Sequence, residues 1–593
     1  MSTQETTRQK IDGVGLAVVA NRFEGIVRNM QNTLVRTGRS GVLNTAKDCS
    51  CCVLTAGHEL IAMAESLPLH VMCGPDLVAA AVSDHHPVLR RGDAFLHNSP
   101  YEGNSHAADY CMVVPVVDGD GVHRYSVFVK AHQADCGNAQ PTTYDSAARD
   151  VYNEGALIFS ATRVQQDYEH CDDVLRMCRA RIRVPEQWWG DHLAMLGACR
   201  VGEQRLLELG EELGWDELAG YVEQWLDYSE RRMEAELRRL PAGRVNVVTH
   251  HDPTPELPDG LQLNVGVDIR PQDGRVLVDL RENPDCLPCG LNLTEATSRS
   301  SALLGVFNSV DHTVPQNAGS TRRIEVVLRE NCCVGIPRHP ASCSVSTTNF
   351  VDRVANAVQR GMGDIADGIG MAEYGLSFPP SVAVISGHDP RAGGSPFINQ
   401  IILGWTGGPG GPHADGWLTA GGVGDGGALR HDSIELDELH FPMLFHEQRL
   451  LADTEGAGRR RGVPAARLEY GPIDTTMQVA YGSDGSVHGP QGARGGGPGR
   501  CARQFKRNAA GEAEAVDSFA LVELAPGETM VSECCGGGGY GAAAEREPEL
   551  VAADVREGLV TRERAAEVYR VALDDKGSVD VAGTERLRAG GAT

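Results

Sequence analysis

Long apolar runs are missing from this sequence of 593 residues. None approaches the roughly 18 residues that a membrane-spanning helix needs, so we predict no transmembrane segment. The N-terminal stretch also lacks the basic segment followed by an apolar core that is typical of a secretion signal. We therefore expect a protein without a membrane partner.

Positive charge is scarce as well. The chain has 54 Lys and Arg residues against 80 Asp and Glu residues, which gives a formal charge of −26. A surface this acidic repels phosphate backbones, and no Lys/Arg-rich stripe offsets it. We therefore expect no nucleic-acid partner.

The cysteines do not form the even, regularly spaced framework of a secreted domain. There are seventeen, several of them adjacent to one another. This distribution favours a reducing compartment, and we expect a cytoplasmic protein. Cys286 and Cys289 have the spacing of half a zinc site, but no second Cys-x-x-Cys pair accompanies them, so we expect no structural zinc there.

A recognisable nucleotide-binding loop is also absent. Glycine-rich runs occur at 407–411, 420–427 and 536–539, but none ends in the Lys-Ser/Thr of a Walker A loop. We interpret these runs as tight loops in which glycine supplies positive φ angles. The chain therefore shows no convincing ATP site of its own.

The remaining pattern predicts a mixed α/β (α+β), multidomain fold, because the length exceeds what one hydrophobic core normally supports. Apolar residues recur at helical spacing in some stretches and alternate as in strands in others. The predicted segments are a metal-bearing α/β domain (1–185), a long-helix segment (186–243), a mixed α/β domain (244–380), a Gly-rich, β-rich module (381–545) and a C-terminal helix and tail (546–593).

Two His-x-x-Asp pairs stand beside apolar, strand-like runs. His106 and Asp109 precede CMVVPVV, and His132 and Asp135 follow YSVFVKAH. If the two strands are neighbours, both pairs reach the same end of a sheet, where imidazoles and carboxylates could hold a divalent metal. Asp48, directly before the CSCCVLT strand, is a plausible further ligand. From the residues alone, separate polar turns remain an equal alternative, because such pairs are common.

Longer stretches of the sequence resemble the hydantoinase B family, which includes half of 5-oxoprolinase and the metal-bearing subunits of acetone and acetophenone carboxylases. The resemblance rests on GDAFLHNSPYEGNSHAADYCMVVPV, KAHQADCGNAQP, WWGDHLAMLGACRVGEQRL, VPQNAGSTRRIEVVL and CCGGGGYGAAAEREPELVAADVREGLVTRERAAEVY. These segments follow one another in the family's order along nearly the whole chain.

The resemblance implies a divalent metal, zinc or manganese with iron as a further candidate, held by Asp48, His106, Asp109 and His132. Asp135 would then not ligate the metal itself but would act as a general base or orient a bound water. It further implies that ATP and Mg²⁺ are bound by a separate hydantoinase A-type partner subunit, with a small third subunit in some complexes. The implied activity is hydrolysis of a phospho-activated cyclic amide of the hydantoin, lactam or 5-oxoproline type.

The sequence departs from the amidohydrolase pattern next to the proposed site. After Asp135, amidohydrolase members usually carry Gly-Gly and then Pro-Gly-Ser, whereas this chain reads CGNAQPTTY. That stretch and RIRVPEQWWGD favour an alternative activity, the ATP-dependent carboxylation of a ketone. A second alternative is a non-catalytic scaffold subunit with a structural metal. We interpret His58, His70 and His97 as ordinary polar residues, not as ligands.

Overall fold

The computed structural model describes residues 13–376, 378–404 and 407–590. The outermost residues of the first and last predicted segments, and Trp405 and Thr406 in a glycine-rich run, lie outside the described residues. The fold is mixed α/β, as the sequence pattern predicts, and the described residues form four sheets. The domain boundaries proposed from the sequence stay predictions.

The first sheet has seven antiparallel strands in the order β2-β1-β5-β4-β3-β6-β7. They are β1 (Cys49–Thr55), β2 (Leu60–Met63), β3 (Ala94–His97), β4 (Asp109–Val117), β5 (His123–His132), β6 (Thr162–Gln166) and β7 (Glu169–His170). The three central strands β1, β5 and β4 are buried on both faces, which explains their nearly continuous apolar sequences.

Helices cover both faces of this sheet. They are α1 (Gly13–Thr37), α2 (Gly41–Asn44), α3 (Pro68–Val71), α4 (Pro75–His85), α5 (Val151–Glu154), α6 (Asp172–Arg181), α7 (Pro185–Leu213) and α8 (Trp215–Leu237). The long helices α1, α7 and α8 share a hydrophobic core with one face of the sheet. Helices α3 and α4 pack on the other face, where Cys111 of β4 and Phe128 of β5 point.

The second sheet has the order β11-β10-β9-β8 and packs against two helices in a second core. Its elements are β8 (Gly243–His251), β9 (Leu261–Arg270), β10 (Arg275–Asp279), α9 (Glu295–Phe307), α10 (Ala318–Thr321), β11 (Ile324–Val327) and α11 (Phe350–Ile365). The Ser/Thr-rich stretch near residue 300 forms α9, and Thr294 caps the helix by accepting a hydrogen bond from the N–H of Thr297.

Nine strands follow: β12 (Val384–Asp389), β13 (Ser395–Gln400), β14 (Met443–Leu450), β15 (Ala466–Pro472), β16 (Met477–Gly482), β17 (Arg503–Arg507), β18 (Ala513–Ala515), β19 (Phe519–Leu524) and β20 (Thr529–Glu533). They form one sheet of order β13-β12-β16-β19 and another of order β14-β15-β20-β17-β18. The four remaining α-helices of the described residues are α12 (Ile434–His440), α13 (Pro548–Arg556), α14 (Arg562–Glu567) and α15 (Val581–Ala589). Thr561 caps α14 by accepting a hydrogen bond from the N–H of Arg564.

A bundle of extended glycine-rich segments lies beside these sheets, and it corrects our interpretation of the glycine runs. The central segment is 536–540. Its successive residues exchange backbone hydrogen bonds with different neighbours: Gly537 with Val463, Gly538 with Glu373 and Gly410, and Gly539 with Gly497. None of Gly536–Gly539 has a positive φ.

Close backbone approach is therefore the reason for glycine at 536–539. A Cβ atom at Gly537 would lie 2.1 Å from the carbonyl oxygen of Gly408, and one at Gly536 would lie 2.0 Å from that of Thr454. Positive φ angles do occur in the other two runs, at Gly407, Gly426 and Gly427. Among the described residues, none of the helices has the length and apolarity needed to cross a membrane.

Candidate metal centre

Three of the proposed ligands lie at one end of the first sheet. Asp48 directly precedes β1, Asp109 is the first residue of β4, and His132 is the last residue of β5. Asp109 and His132 are directly opposite each other in the antiparallel β4–β5 pair. The N–H of His132 donates to the carbonyl oxygen of Asp48 at 3.1 Å, which joins the start of β1 to the same end.

His106 lies in the turn that leads into β4, and a buried asparagine shapes this turn. The Asn104 side-chain amide donates to the carbonyl oxygens of His106 at 2.6 Å and Asp109 at 2.7 Å. The His106 ring is oriented by its Nδ1–H, which donates to the carbonyl oxygen of Ser344 at 2.9 Å. The ring therefore presents Nε2 to the end of the sheet.

The ligand atoms converge closely. Asp109 Oδ1 lies 2.9 Å from His106 Nε2 and 2.9 Å from His132 Nδ1, and the two ring nitrogens are 3.2 Å apart. His106, Asp109 and His132 are the one group of three potential ligands within 4.8 Å of one another that the described ranges contain. All three side chains are buried.

The donor set fits a cation. A carbonyl oxygen can only accept a hydrogen bond, so the proton of a neutral His106 ring is on Nδ1, and its Nε2 lone pair faces the Asp109 carboxylate. Two lone-pair donors at this distance repel each other, and a bound cation or a proton on Nε2 would remove the repulsion. Imidazole nitrogen with carboxylate oxygen suits zinc, manganese or iron.

Asp48 and His70 form the other side of the centre. His70 Nε2 lies 3.5 Å from Asp48 Oδ1 and 3.4 Å from Asp109 Oδ2. Asp48 Oδ1 and His70 Nδ1 are buried without a hydrogen-bond partner. The sequence interpretation of His70 as an ordinary polar residue therefore missed a side chain that lies between two of the proposed ligands.

The electrostatics follow from burial and from this mutual proximity. Burial lowers the pKa of His70 to about 3 and also lowers the pKa of His132. Burial alone would also lower the pKa of His106, but the Asp109 carboxylate outweighs it, so that the pKa is raised.

The two carboxyl groups shift in opposite directions. Burial and then the Asp109 charge raise the pKa of Asp48 well above its usual range. Burial acts in the same direction on Asp109, but His106 and His70 outweigh it and hold the pKa of that carboxyl well below its usual range. Asp109 is thus the anionic centre of the cluster.

The other carboxylate oxygen of Asp109, Oδ2, is held by a separate hydrogen bond. The Ser105 hydroxyl donates to Asp109 Oδ2, and the Lys130 ammonium donates to Ser105 Oγ at 3.3 Å. Lys130 has no exposed surface. It lies on β5, two residues before His132 and on the same face of the sheet. The sequence analysis did not single out this lysine.

Asp135 lies in a different set of contacts. Its carboxylate accepts hydrogen bonds from the Arg183 guanidinium at 2.8 Å, the Arg183 N–H at 2.5 Å and the Gly137 N–H at 3.1 Å. It does not line the cavity beside the proposed ligands. These hydrogen bonds indicate a structural role for Asp135. Its role as a general base stays a prediction, which these contacts do not favour. His97, by contrast, is structural as expected, since its Nδ1 accepts the N–H of Ala161.

A cavity of about 70 Å³ opens beside the cluster, and Asp48, His70, Asp109 and His132 form part of its wall. The rest of the wall is largely apolar and comes from segments distant in sequence. These residues include Leu67, Leu69, Tyr144, Phe378, Val382, Ile402 and Leu429, together with Thr347, Asp352, Gln400, Asp425 and glycines at 404 and 421–424. The proposed ligands are therefore within reach of a small guest molecule.

Comparisons with known proteins show the family of the chain. The sequence profile of the hydantoinase B/oxoprolinase family matches residues 12–543. The caprolactamase subunit beta of Pseudomonas jessenii is 30% identical, with 98% of this chain and 99% of that protein covered. The acetophenone carboxylase delta subunit of Aromatoleum aromaticum is 24% identical, with 98% and 89% covered.

A solved structure is similar over the same length. The crystal structure of the ATP-dependent caprolactamase from Pseudomonas jessenii superimposes with a TM-score of 0.86 at 29% identity, covering 98% of this chain and all of the matched one. Both the sequence match and the structural match extend over nearly the whole chain. The chain belongs to the hydantoinase B/oxoprolinase family.

Proposed function

We propose that this chain is the metal-bearing subunit of a heteromeric, ATP-dependent enzyme that hydrolyses a cyclic amide of the hydantoin, lactam or 5-oxoproline type. The observation that carries the proposal is the convergence of His106 Nε2, Asp109 Oδ1 and His132 Nδ1 beside a cavity. The similarity to a caprolactamase subunit supports a lactam as the substrate.

The residues that would hold the metal are His106, Asp109 and His132, with Asp48 as the fourth ligand. A divalent ion bound there would supply Lewis acidity for polarising an amide carbonyl and activating water. The chain itself contributes orientation: Ser344 fixes the His106 ring, and Ser105 with Lys130 fixes the Asp109 carboxylate. Such supporting contacts fix the orientation of the ligands and thereby affect the affinity for the metal.

The apolar wall of the cavity would exclude bulk water and bind the hydrocarbon part of a small ring. A low-dielectric surrounding strengthens the electrostatic interactions between the reacting groups and the protein. His70, which the sequence did not single out as a ligand, lines this cavity, whereas Asp135 does not. His70 is therefore better placed than Asp135 to contact a substrate.

ATP chemistry is assigned to a partner. The glycine runs pack against one another as backbone and leave no Walker A loop, and the matched relatives are named as subunits. We infer an ATP-binding partner of the hydantoinase A type, which would activate the amide by phosphorylation before hydrolysis.

The test is to purify this chain alone and after co-expression with an ATP-binding subunit of the hydantoinase A type. We expect no substrate-dependent ATPase from the chain alone, and ring opening coupled to ATP hydrolysis by the complex when lactams or hydantoins are supplied. Elemental analysis should find one divalent ion per chain. Robust ATPase from the single chain would contradict the partner assignment.

Ketone carboxylation is the second candidate. The departure of residues 137–144 from the amidohydrolase pattern and the similarity to the acetophenone carboxylase delta subunit favour it. Supplying ketones with bicarbonate to the same complex separates the two, because only a carboxylase would consume ATP with that pair. A scaffold subunit with a structural metal predicts instead that metal removal lowers the melting temperature and that variants of the cavity wall leave turnover unchanged.

A further inference from the structure

The segment that departs from the amidohydrolase pattern places an aromatic ring directly on the proposed ligands. The Tyr144 ring stacks on His132 with centroids 5.3 Å apart and an interplanar angle of 19°. It also lies 5.3 Å from the His106 ring. Phe378 packs against Tyr144 at 4.4 Å. Tyr144 thus covers both imidazoles from outside the sheet.

Tyr144 also lines two cavities. The inner cavity of about 70 Å³ is lined by the proposed ligands Asp48, Asp109 and His132, and an outer groove of about 330 Å³ is lined by the loop that carries Tyr144. The groove is lined by Gln140, Thr142, Asp145, Ser146, Ala147, Pro255, Glu256, Ala480, Tyr481, Phe519, Ala520 and Leu521. Within the part of the chain that the structure describes, Tyr144 alone lines both spaces.

The ring is held by side-chain contacts with residues that are distant in sequence, including His106, His132 and Phe378. Its hydroxyl group lies close to Thr347 and Gln400, two residues of the inner wall. Its main chain belongs to an irregular loop, in which the Tyr144 N–H donates to Thr142 Oγ1 at 3.1 Å. A side chain held by stacking and by hydroxyl contacts can change rotamer without rearranging the sheet.

The neighbouring Phe378 is in a backbone conformation that fixes its position. Its φ is +74°, a value that residues with a Cβ rarely adopt, and the residue is buried. Such conformations persist only where the surrounding structure holds them, and they concentrate at functional sites. Phe378 therefore forms the fixed side against which the Tyr144 ring closes.

We propose that Tyr144 is the gate between the outer groove and the metal-facing cavity, and that a substrate ring reaches the ligands past this side chain. In the closed position, the Tyr144 side chain also limits the size of the cyclic substrate that fits beside His132. The part of the proposal that concerns a substrate rests on the proposed function. The part that concerns access rests only on the proposed metal ligands and not on the proposed reaction, because any small molecule that passes from the outer groove to the ligands meets the same side chain.

Access can be measured without turnover. The metal-loaded chain is mixed with increasing concentrations of the planar chelator 2,6-pyridinedicarboxylate, and the rate of metal release is measured. The quantity compared between variants is the part of this rate that increases in proportion to the chelator concentration. We expect Tyr144→Ala to raise this component about tenfold or more, since the stacked wall is lost. Tyr144→Phe, which keeps the ring, should stay within about threefold of the unmodified chain. Tyr152→Ala is the matched control, because that tyrosine is 73% exposed and lines neither space.

A second variant keeps the test decisive if Tyr144→Ala weakens metal binding itself. Ala520→Trp fills the outer groove from β19 and touches none of the proposed ligands. We expect slower chelator-dependent release at unchanged equilibrium metal affinity. Unchanged release in Ala520→Trp would overturn the proposal, because the metal would then be reached by another route. So would equal release rates in Tyr144→Ala and the unmodified chain.

Substrate selection is then tested in the complex with a series of lactams of increasing ring size. Tyr144→Ala should shift the preference towards larger rings, mainly through KM, and Ala520→Trp should raise KM for all of them. An unchanged ring-size preference in Tyr144→Ala would contradict the size-limiting role. A complex that opens no lactam at all would contradict the proposed function, while the chelator rates would still decide whether Tyr144 is the gate.

Discussion

Asp109 and His132 are directly opposite each other on neighbouring strands, and Asp109 Oδ1 lies 2.9 Å from His132 Nδ1. The separation of two ligands that are 23 residues apart in sequence is thus set by the register of one antiparallel strand pair. A one-residue slip of that register would turn one side chain to the other face of the sheet. The continuous burial of both strands prevents such a slip, so the centre is as rigid as the core of the sheet.

Replacing the central carboxylate should remove the metal. In Asp109→Asn the neutral amide is a poor ligand between two imidazoles, and we expect the metal content after dialysis to fall at least tenfold. Elemental analysis of the purified chain measures this. His123→Ala is the control, because His123 is at the opposite end of β5 from His132 and should leave the metal content unchanged. Full metal content in Asp109→Asn would contradict the proposed ligand set.

The contacts of Asp135 predict an effect on stability. Asp135→Asn weakens a buried carboxylate that receives three hydrogen bonds, and we expect the free energy of unfolding to fall by about 1–3 kcal/mol. Denaturant unfolding measures the change, and metal content and kcat should stay within about twofold of the unmodified chain. A loss of kcat by about a hundredfold or more at unchanged stability would instead restore Asp135 as the general base.

Backbone approach in the glycine bundle predicts a severe effect of one methyl group. In Gly537→Ala the new Cβ would meet the carbonyl oxygen of Gly408 at 2.1 Å, and we expect a destabilisation of about 3 kcal/mol or more, the upper range for overpacking. Gly25→Ala is the control, because this glycine lies within α1 with no atom near a new Cβ. That variant should be stabilised by about 0.5–1 kcal/mol. Equal melting temperatures for the two would contradict the packing described.

A buried histidine far from the metal predicts the pH dependence of stability. His192 stacks between Trp188 and Trp189, neither ring nitrogen has a hydrogen-bond partner, and burial followed by the charge of His170 lowers its pKa to about 3. Between pH 6.5 and 3 the unfolded chain binds a proton that the folded chain does not, so stability falls as the pH falls.

His192→Phe removes this proton uptake. At pH 5 the unmodified chain should have lost about 2 kcal/mol through His192, so the difference in unfolding free energy between pH 7 and pH 5 should shrink by about that amount in the variant. Denaturant unfolding at both pH values measures it. His312→Phe should not change the difference, because its side chain is 95% exposed. An unchanged pH dependence in His192→Phe would show that the ring is protonated in the folded chain.

The sequence predicted the position of those site residues that lie at the ends of strands. Asp109 and His132 flank apolar strands with a clear period, so their meeting follows once the two strands pair. His70 could not be found in this way. It belongs to the four-residue helix α3, and only the packing of that helix over the end of the sheet brings its ring between Asp48 and Asp109.

Asp135 shows the opposite case. Its spacing from His132 matches that of Asp109 from His106, but β5 ends at His132 and the chain then turns towards Arg183. Equal spacing in sequence gives equal direction only while the secondary structure is the same. The glycine runs misled us for a related reason, because the composition does not distinguish positive φ from close backbone packing.

The glycine bundle also bears on how the chain reaches its native state. The segment 536–540 supplies backbone partners to Glu373, Gly410, Val463 and Gly497, which are synthesised long before it. Contacts of such large sequence separation form slowly, because a long loop must close before any of them is gained. Until residue 540 has left the ribosome, the earlier glycine-rich segments lack the central segment 536–540 as a hydrogen-bond partner. We therefore expect this half of the chain to be the last to become protected from proteases during synthesis.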